Sequence, residues 1–125
     1  ERIVWWNTRA KQLEDFENKY SGNENYFNLA SDEDYARLKD YIGKEIVVFG
    51  NIGNVLTKKT PYLLRIPHTK DENFDIVVYE ENSDLLREID IDTKQYYYTF
   101  TKGVLETYEG KYQIVLRNKD QFWME

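Results

Sequence analysis

Residues 103–116 read GVLETYEGKYQIVL, the pattern of two strands joined by a tight turn. Leu105 and Ile114 are apolar positions of the strands, and Gly110 supplies the freedom to adopt a positive φ angle in the turn. Residues 43–52, GKEIVVFGNI, have a related pattern of alternating strand residues, a glycine and further apolar residues. A glycine inside a strand marks a bulge or sharp bend, which a small barrel needs in order to close. The two stretches predict a closed sheet of five strands.

Composition limits the class of protein. The 125 residues suffice for one domain, or for one domain with an extension, and 11 tyrosines are more than a core alone requires. The sequence has no apolar run long enough to span a membrane. The absence of cysteine excludes disulfides and thiolate metal sites, and it leaves the cellular compartment undetermined. Because the chain begins with Glu1 rather than Met, we expect it to be part of a larger protein.

The net charge of −6 argues against strong binding to nucleic acid, which depends on neutralising phosphates. The charges are unevenly distributed, however. Residues 71–92 hold nine acids and one base, whereas the rest of residues 43–125 holds ten bases and five acids. One face of the fold is therefore expected to be basic if the structure separates these two sets.

Two helices are predicted before the strands. Residues 2–20 have an amphipathic pattern that places Trp6 and Leu13 on the apolar side, with Trp5 and Phe16 widening it, and we expect this helix to dock on the barrel. In an alternative interpretation, Trp5 and Trp6 pack against a preceding domain. The second helix has Ser31 as its N-cap and ends before Gly43.

From residue 44 onward the sequence predicts three strands, a short helix and two more strands. The predicted strands are 44–57, 62–66, 74–79, 95–108 and 111–117, with the short helix at 83–88. The apolar cluster at 122–124 is expected to seal one end of the barrel.

This order resembles the oligonucleotide/oligosaccharide-binding (OB) fold, a five-stranded Greek-key barrel. Residues 41–50, YIGKEIVVFG, and 108–116, YEGKYQIVL, carry the resemblance, and they look like the branch that contains single-strand-binding and anticodon-binding-like domains. The resemblance covers about residues 42–124. The expected fold class is all-β, with two N-terminal helices and a short helix between strands 3 and 4. Residues 1–42 would form a helical extension and residues 43–125 the barrel.

Sequence motifs for catalysis are absent. The sequence contains no phosphate loop, no HExxH motif and no GxSxG motif. His68, the single histidine, follows a proline in a polar stretch and is expected to be a solvated loop residue. The acids Glu80, Glu81 and Asp84 lack the spacing of a calcium loop. We therefore expect no enzyme activity, no metal and no cofactor.

The resemblance implies a binding surface across strands one to three, walled by the loops that join strands 1–2 and 4–5. Binding a single strand of nucleic acid requires aromatic rings for base stacking and cations along the backbone path. The residues that fit the strand platform are Phe49, Tyr62 (or its neighbour Leu63), Arg65 and Tyr79. The residues that fit the loop walls are Lys58, Lys59, Tyr108, Lys111 and Tyr112.

The expected function is a non-catalytic module that binds single-stranded nucleic acid weakly, without contact with a membrane. Two alternatives remain open at this point. The aromatic residues can belong to the core, with the N-terminal helix covering the proposed face. The tyrosine-rich surface can instead dock a protein partner or a neighbouring domain of the same chain. The sequence does not distinguish DNA from RNA as the ligand.

Overall fold

The computed structural model describes residues 2–125. Its helices are α1 (Arg2–Tyr20), α2 (Asp32–Arg37), α3 (Leu85–Glu88) and α4 (Ile91–Lys94). Its strands are β1 (Tyr26–Asn28), β2 (Glu45–Asn51), β3 (Asn54–Leu56), β4 (Tyr62–Pro67), β5 (Asn73–Val78), β6 (Tyr98–Val104), β7 (Glu106–Tyr108), β8 (Lys111–Val115) and β9 (Phe122–Trp123). Short 3-10 turns are formed by Leu38–Asp40, Glu80–Asn82 and Lys119–Gln121.

The strands form two separate sheets. Sheet I has the order β1-β2-β6-β9, and sheet II has the order β3-β4-β5-β8-β7. The helices together with the 3-10 turns account for 34% of the chain, the strands for another 34%, and neither sheet closes into a barrel. The predicted all-β class with a five-stranded Greek-key barrel is therefore wrong, and the fold is mixed α/β.

The reason lies in two interruptions of the hydrogen-bond ladders. The predicted strand 44–57 is divided at Ile52-Gly53 into β2 and β3, and these two strands pair in different sheets. The predicted strand 95–108 is divided in the same way at Leu105 into β6 and β7. The predicted helix at 83–88 is shorter than expected and is followed by a second short helix, α4.

The main core lies between the two sheets. Sheet I contributes Ile46 and Val48, and sheet II contributes Leu64 and Ile76, all fully buried or nearly so. The N-terminal segment shares this core: its side chains there are Phe27, Leu29, Tyr35 and Leu38. Part of this segment, β1, pairs in parallel with β2 in sheet I, and the sequence analysis did not predict that strand.

Two glycines let the sheets approach each other closely. A Cβ atom on Gly103 would lie 2.5 Å from the Cγ2 atom of Ile114, and one on Gly50 would lie 2.9 Å from the Cγ2 atom of Ile66. Gly103 pairs regularly with Ile46 in the β2–β6 ladder, so it marks close packing of the two sheets and not a bulge.

Helix α1 covers the outer face of sheet I. Phe16 stacks on Phe49 with ring centroids 4.4 Å apart, within a cluster that also contains Phe100. The amide side chain of Gln12, which is only 7% exposed, donates to the carbonyl of Tyr98 at 2.9 Å and accepts from its N–H at 3.0 Å. The polar residue Gln12 is thus held inside by backbone hydrogen bonds.

The predicted helix at 2–20 is confirmed, but its buried side differs from the prediction. Phe16 is buried against the sheet, as predicted, but Trp6 is 56% exposed and Leu13 is also exposed, and the polar Gln12 faces the sheet in their place. The indole Nε1 of Trp5 donates to the carbonyl of Tyr96 at 2.7 Å, which anchors the first half of the helix.

The predicted cap of the second helix is confirmed, because the Ser31 side chain accepts a hydrogen bond from the Asp34 N–H. This helix is shorter than predicted: α2 ends at Arg37, and a 3-10 turn follows. None of the helices within residues 2–125 combines the length and the apolar character that crossing a membrane requires.

The contact between α1 and sheet I predicts unequal effects for two substitutions in the same helix. Phe16→Ala should lower the free energy of unfolding by about 3–4 kcal/mol, because it removes a buried ring and leaves a cavity over Phe49. Leu13→Ala, at an exposed position, should cost less than about 1 kcal/mol. Urea unfolding monitored by circular dichroism measures both, and equal costs would contradict the described orientation of α1.

The close approach at Gly103 predicts coupling with Ile114. Gly103→Ala should destabilise the protein by about 1–3 kcal/mol, because its methyl group would overlap the Ile114 side chain. In an Ile114→Ala background the same change should cost clearly less, since the obstructing Cγ2 atom is gone. A double-mutant cycle by urea unfolding tests this coupling. Additive costs would show that the destabilisation by Gly103→Ala does not arise from contact with Ile114.

Candidate functional site

Sheet II carries a groove on its outer face. Because side chains alternate along a strand, the inward positions Leu64 and Ile66 of β4 leave Leu63 and Arg65 facing outward. Across the ladder, Leu63 pairs with Val77, and Arg65 pairs with Asp75. The groove above these residues has a volume of about 550 Å³.

Two loops at opposite edges of the groove form its walls. One is the β3–β4 loop, which contributes Lys59, and the other is the β7–β8 hairpin, which contributes Tyr108 and Lys111. The hairpin turns tightly because Glu109 and Gly110 both have positive φ angles, 51° and 80°. Tyr108, the last residue before this turn, lines the groove and is 64% exposed.

An ion pair lies on the floor of the groove. Nε of Arg65 donates to Oδ1 of Asp75 at 2.9 Å, and Nη2 donates to Oδ2 at 3.1 Å. These hydrogen bonds raise the pKa of Arg65 above its ordinary value, an effect larger than the opposing effect of burial. With the Asp75 charge matched by Arg65, the lining has two further bases, Lys59 and Lys111, and one further acid, Glu109.

The groove brings together five of the nine predicted site residues. They are Lys59, Arg65, Tyr79, Tyr108 and Lys111. Lys58 is exposed in the β3–β4 loop beside them but does not line the groove.

Three predicted site residues lie elsewhere. Phe49 does point away from the main core, but α1 covers it and leaves it only 1% exposed, so it is not a stacking platform. Tyr62 pairs with Val78 and packs against the main core, on the opposite face of β4 from Arg65. Tyr112 pairs with Phe74 and also packs inward, where its ring meets that of Tyr35 edge-on. These three assignments are corrected to structural roles.

Several groove residues are not among the predicted site residues. Val77 and Gln113 lie on the floor or edge of the groove, as does Leu63, which had been named only as an alternative to Tyr62. Period-two alternation contains the signal that could have found them. Tyr62 and Arg65 are three positions apart, so they cannot lie on the same face of a regular strand, whereas Leu63 and Arg65 can.

His68 is a structural residue rather than the predicted solvated one. Its side chain is buried, its ring stacks on Tyr35 with centroids 4.0 Å apart, and its Nε2 atom lies 3.0 Å from Oδ1 of Asp32. Its Nδ1 atom lies 2.8 Å from the carbonyl oxygen of Leu29. Within residues 2–125 no group of three or more His, Asp or Glu residues is arranged to hold a metal ion.

A second cleft, of about 380 Å³, lies between the end of α1 and the start of α2. Its basic residue, Arg37, already donates to the carbonyls of Glu24 and Tyr26 and to the carboxylate of Asp34. The cleft walls are thus held by contacts within the protein, and we assign this cleft a structural role.

Comparison with known proteins finds distant structural similarities. The chain matches no protein-family model and no curated protein. Among solved structures, it is similar to the OBody AM1L10 bound to hen egg-white lysozyme, at 16% identity and a TM-score of 0.46 over 68% of this chain and 81% of that chain. It is also similar to the OBody AM3L15 bound to hen egg-white lysozyme, at 16% identity and a TM-score of 0.46 over 68% of this chain and 83% of that one. At these TM-scores the similarity carries no argument about fold or function.

Tyr20, at the edge of the second cleft, has a raised pKa, and this predicts a loss of stability at alkaline pH. Burial, and then its hydrogen bond to Glu125, raise the pKa of Tyr20 from about 10 to about 12. As the pH rises from about 10 toward 12, the unfolded chain loses this proton while the folded chain keeps it, so the free energy of unfolding falls. Below this window the phenol is protonated in both states and contributes no pH dependence.

Tyr20→Phe should therefore show a smaller fall in stability than the wild type across this pH window. Tyr96→Phe, which changes an exposed ring, serves as the matched control and should follow the wild type. Urea unfolding at a series of pH values measures the difference. If Tyr20→Phe lost as much stability as the control, the buried and hydrogen-bonded phenol would not be the source.

Proposed function

We propose that this chain is a non-catalytic binding module that holds single-stranded nucleic acid in the groove on the outer face of sheet II. The observation that carries the proposal is the presence of exposed tyrosine rings and lysines around a floor that is apolar at Leu63 and Val77. Tyr79 and Tyr108 supply the rings, and Lys59 and Lys111 supply cations on opposite walls.

The rings favour a nucleobase as the ligand. An exposed aromatic side chain offers a stacking surface worth about 1–3 kcal/mol per base, for any base. The floor between Tyr79 and the β3–β4 loop is formed by Leu63 and Val77. This apolar floor suits the flat face of a base better than a phosphate.

The lysines favour a polyanion over an apolar peptide. Lys59 and Lys111 stand at the two edges of the groove, so a strand that crosses the sheet passes both in turn. A strand of nucleic acid carries a phosphate charge at each unit, so it can meet a lysine at either edge of the groove. The local charge of the lining is positive although the whole chain carries −6.

The lysines predict the salt dependence of binding. Lys59→Ala/Lys111→Ala should weaken binding to labelled dT and rU oligonucleotides in fluorescence-anisotropy titrations. It should also reduce the slope of log affinity against log salt by about 1.4, because each phosphate contact on a single strand contributes about 0.7. The matched control is Lys39→Ala/Lys70→Ala, which removes two exposed lysines that do not line the groove.

Tyr108 provides a second test that is independent of charge. Tyr108→Ala should weaken binding about 5- to 100-fold, which corresponds to the loss of one stacked base. Tyr96→Ala removes an equally exposed tyrosine outside the groove and should leave the affinity unchanged. Absence of binding by the wild type at low salt, or equal losses in the groove and control variants, would overturn the proposed function.

A further inference from the structure

The ion pair on the groove floor leaves part of the Arg65 guanidinium unused. Arg65 and Asp75 are direct partners across the β4–β5 ladder, so the backbone sets their separation. Asp75 is nearly buried, with a side chain 8% exposed, and it engages the edge of the guanidinium formed by Nε and Nη2. The edge formed by Nη1 and Nη2 takes no part in this pair, and the Arg65 side chain lines the groove.

Asp75 therefore acts as a positioning residue. A guanidinium held by two parallel hydrogen bonds cannot rotate freely, so its remaining edge presents two coplanar N–H donors in a fixed direction. The pair is flanked by Leu63 and Val77, which are direct partners one step along the same face. A base lying on these two side chains would present its edge to Arg65.

We propose that Arg65 recognises guanine in a strand bound in this groove, through hydrogen bonds to O6 and N7. This inference rests on the proposed function and deepens it by naming the preferred base. Guanine offers two adjacent acceptors on that edge, which match the fork of the guanidinium. On this same edge, which carries N7 in the purines, adenine presents a donor beside N7, cytosine presents a donor at N4, and thymine presents a single acceptor, so on this edge none of them satisfies both donors.

A phosphate group also offers two acceptor oxygens to an arginine fork, and the experiment separates it from guanine. Wild-type protein is titrated with three labelled oligonucleotides that differ at one central position of a dT strand. That position is thymine, guanine or 7-deazaguanine, which keeps O6 but lacks the N7 acceptor. We expect the guanine strand to bind about tenfold more tightly than the dT strand, and most of that gain to disappear with 7-deazaguanine.

The variant Arg65→Lys keeps the positive charge but loses the planar fork. It should still bind the dT strand and should lose the preference for guanine. Equal weakening of the dT and guanine strands by Arg65→Lys would show a phosphate contact and overturn the inference. Equal affinity of the wild type for all three strands would overturn it as well, while leaving the proposed function intact.

The two proposals fail in distinguishable ways. Absence of binding to every strand at low salt contradicts the proposed function, and the guanine preference falls with it. The comparison of guanine with 7-deazaguanine uses the unaltered protein, so its result does not depend on how well Arg65→Lys folds. Urea unfolding of Arg65→Lys shows whether the variant is as stably folded as the wild type, so that a loss of guanine preference can be attributed to the side chain and not to unfolding.

Discussion

The stack of Phe16 on Phe49 is the contact on which the arrangement of this molecule depends. Sheet I carries apolar side chains on both faces, with Val48 in the main core and Phe49 on the outside. A sheet of this kind is stable only when both faces are covered, and α1 covers the second one. Sheet II differs because an ion pair and polar residues interrupt its outer face. The position of α1 therefore leaves the groove of sheet II as the face open to a ligand.

The strands and loops that form the groove were largely predictable from the sequence, but the individual residues that line it were not. The alternation in β4 is regular enough to place Leu63 and Arg65 on one face. Tyr62 was assigned to that face because of its residue type, although its position contradicts the assignment. Phe49 was correctly placed outside the main core, but whether a helix covers that face is a tertiary question. No local sequence pattern in β2 indicates whether a helix covers the face that carries Phe49.

The orientation of α1 shows a different limit of sequence patterns. A hydrophobic stripe predicts Trp6 and Leu13 on the buried side, yet the structure buries Gln12. Burial of Gln12 is favourable because its side chain makes two hydrogen bonds with the backbone of Tyr98 at the start of β6. These bonds pair the N–H and C=O groups of Tyr98, which α1 would otherwise remove from water without a partner. Hydropathy cannot anticipate such a contact, because it depends on a partner 86 residues away. The three-residue strand β1 was missed for the same reason, since its pairing with β2 is not local.

The net charge of −6 shapes how such a groove would work. At physiological salt the Debye length is about 8 Å, so Lys59 and Lys111 act on a bound strand at close range while distant acids are largely screened. At low salt the screening weakens for the groove lysines, which attract a polyanion, and for the acids of residues 71–92, which repel it, so the two long-range effects partly cancel. Steering would therefore contribute little to affinity. Under the proposed function, specificity would come from short-range contacts with the residues that line the groove, among them Tyr79, Tyr108 and Arg65.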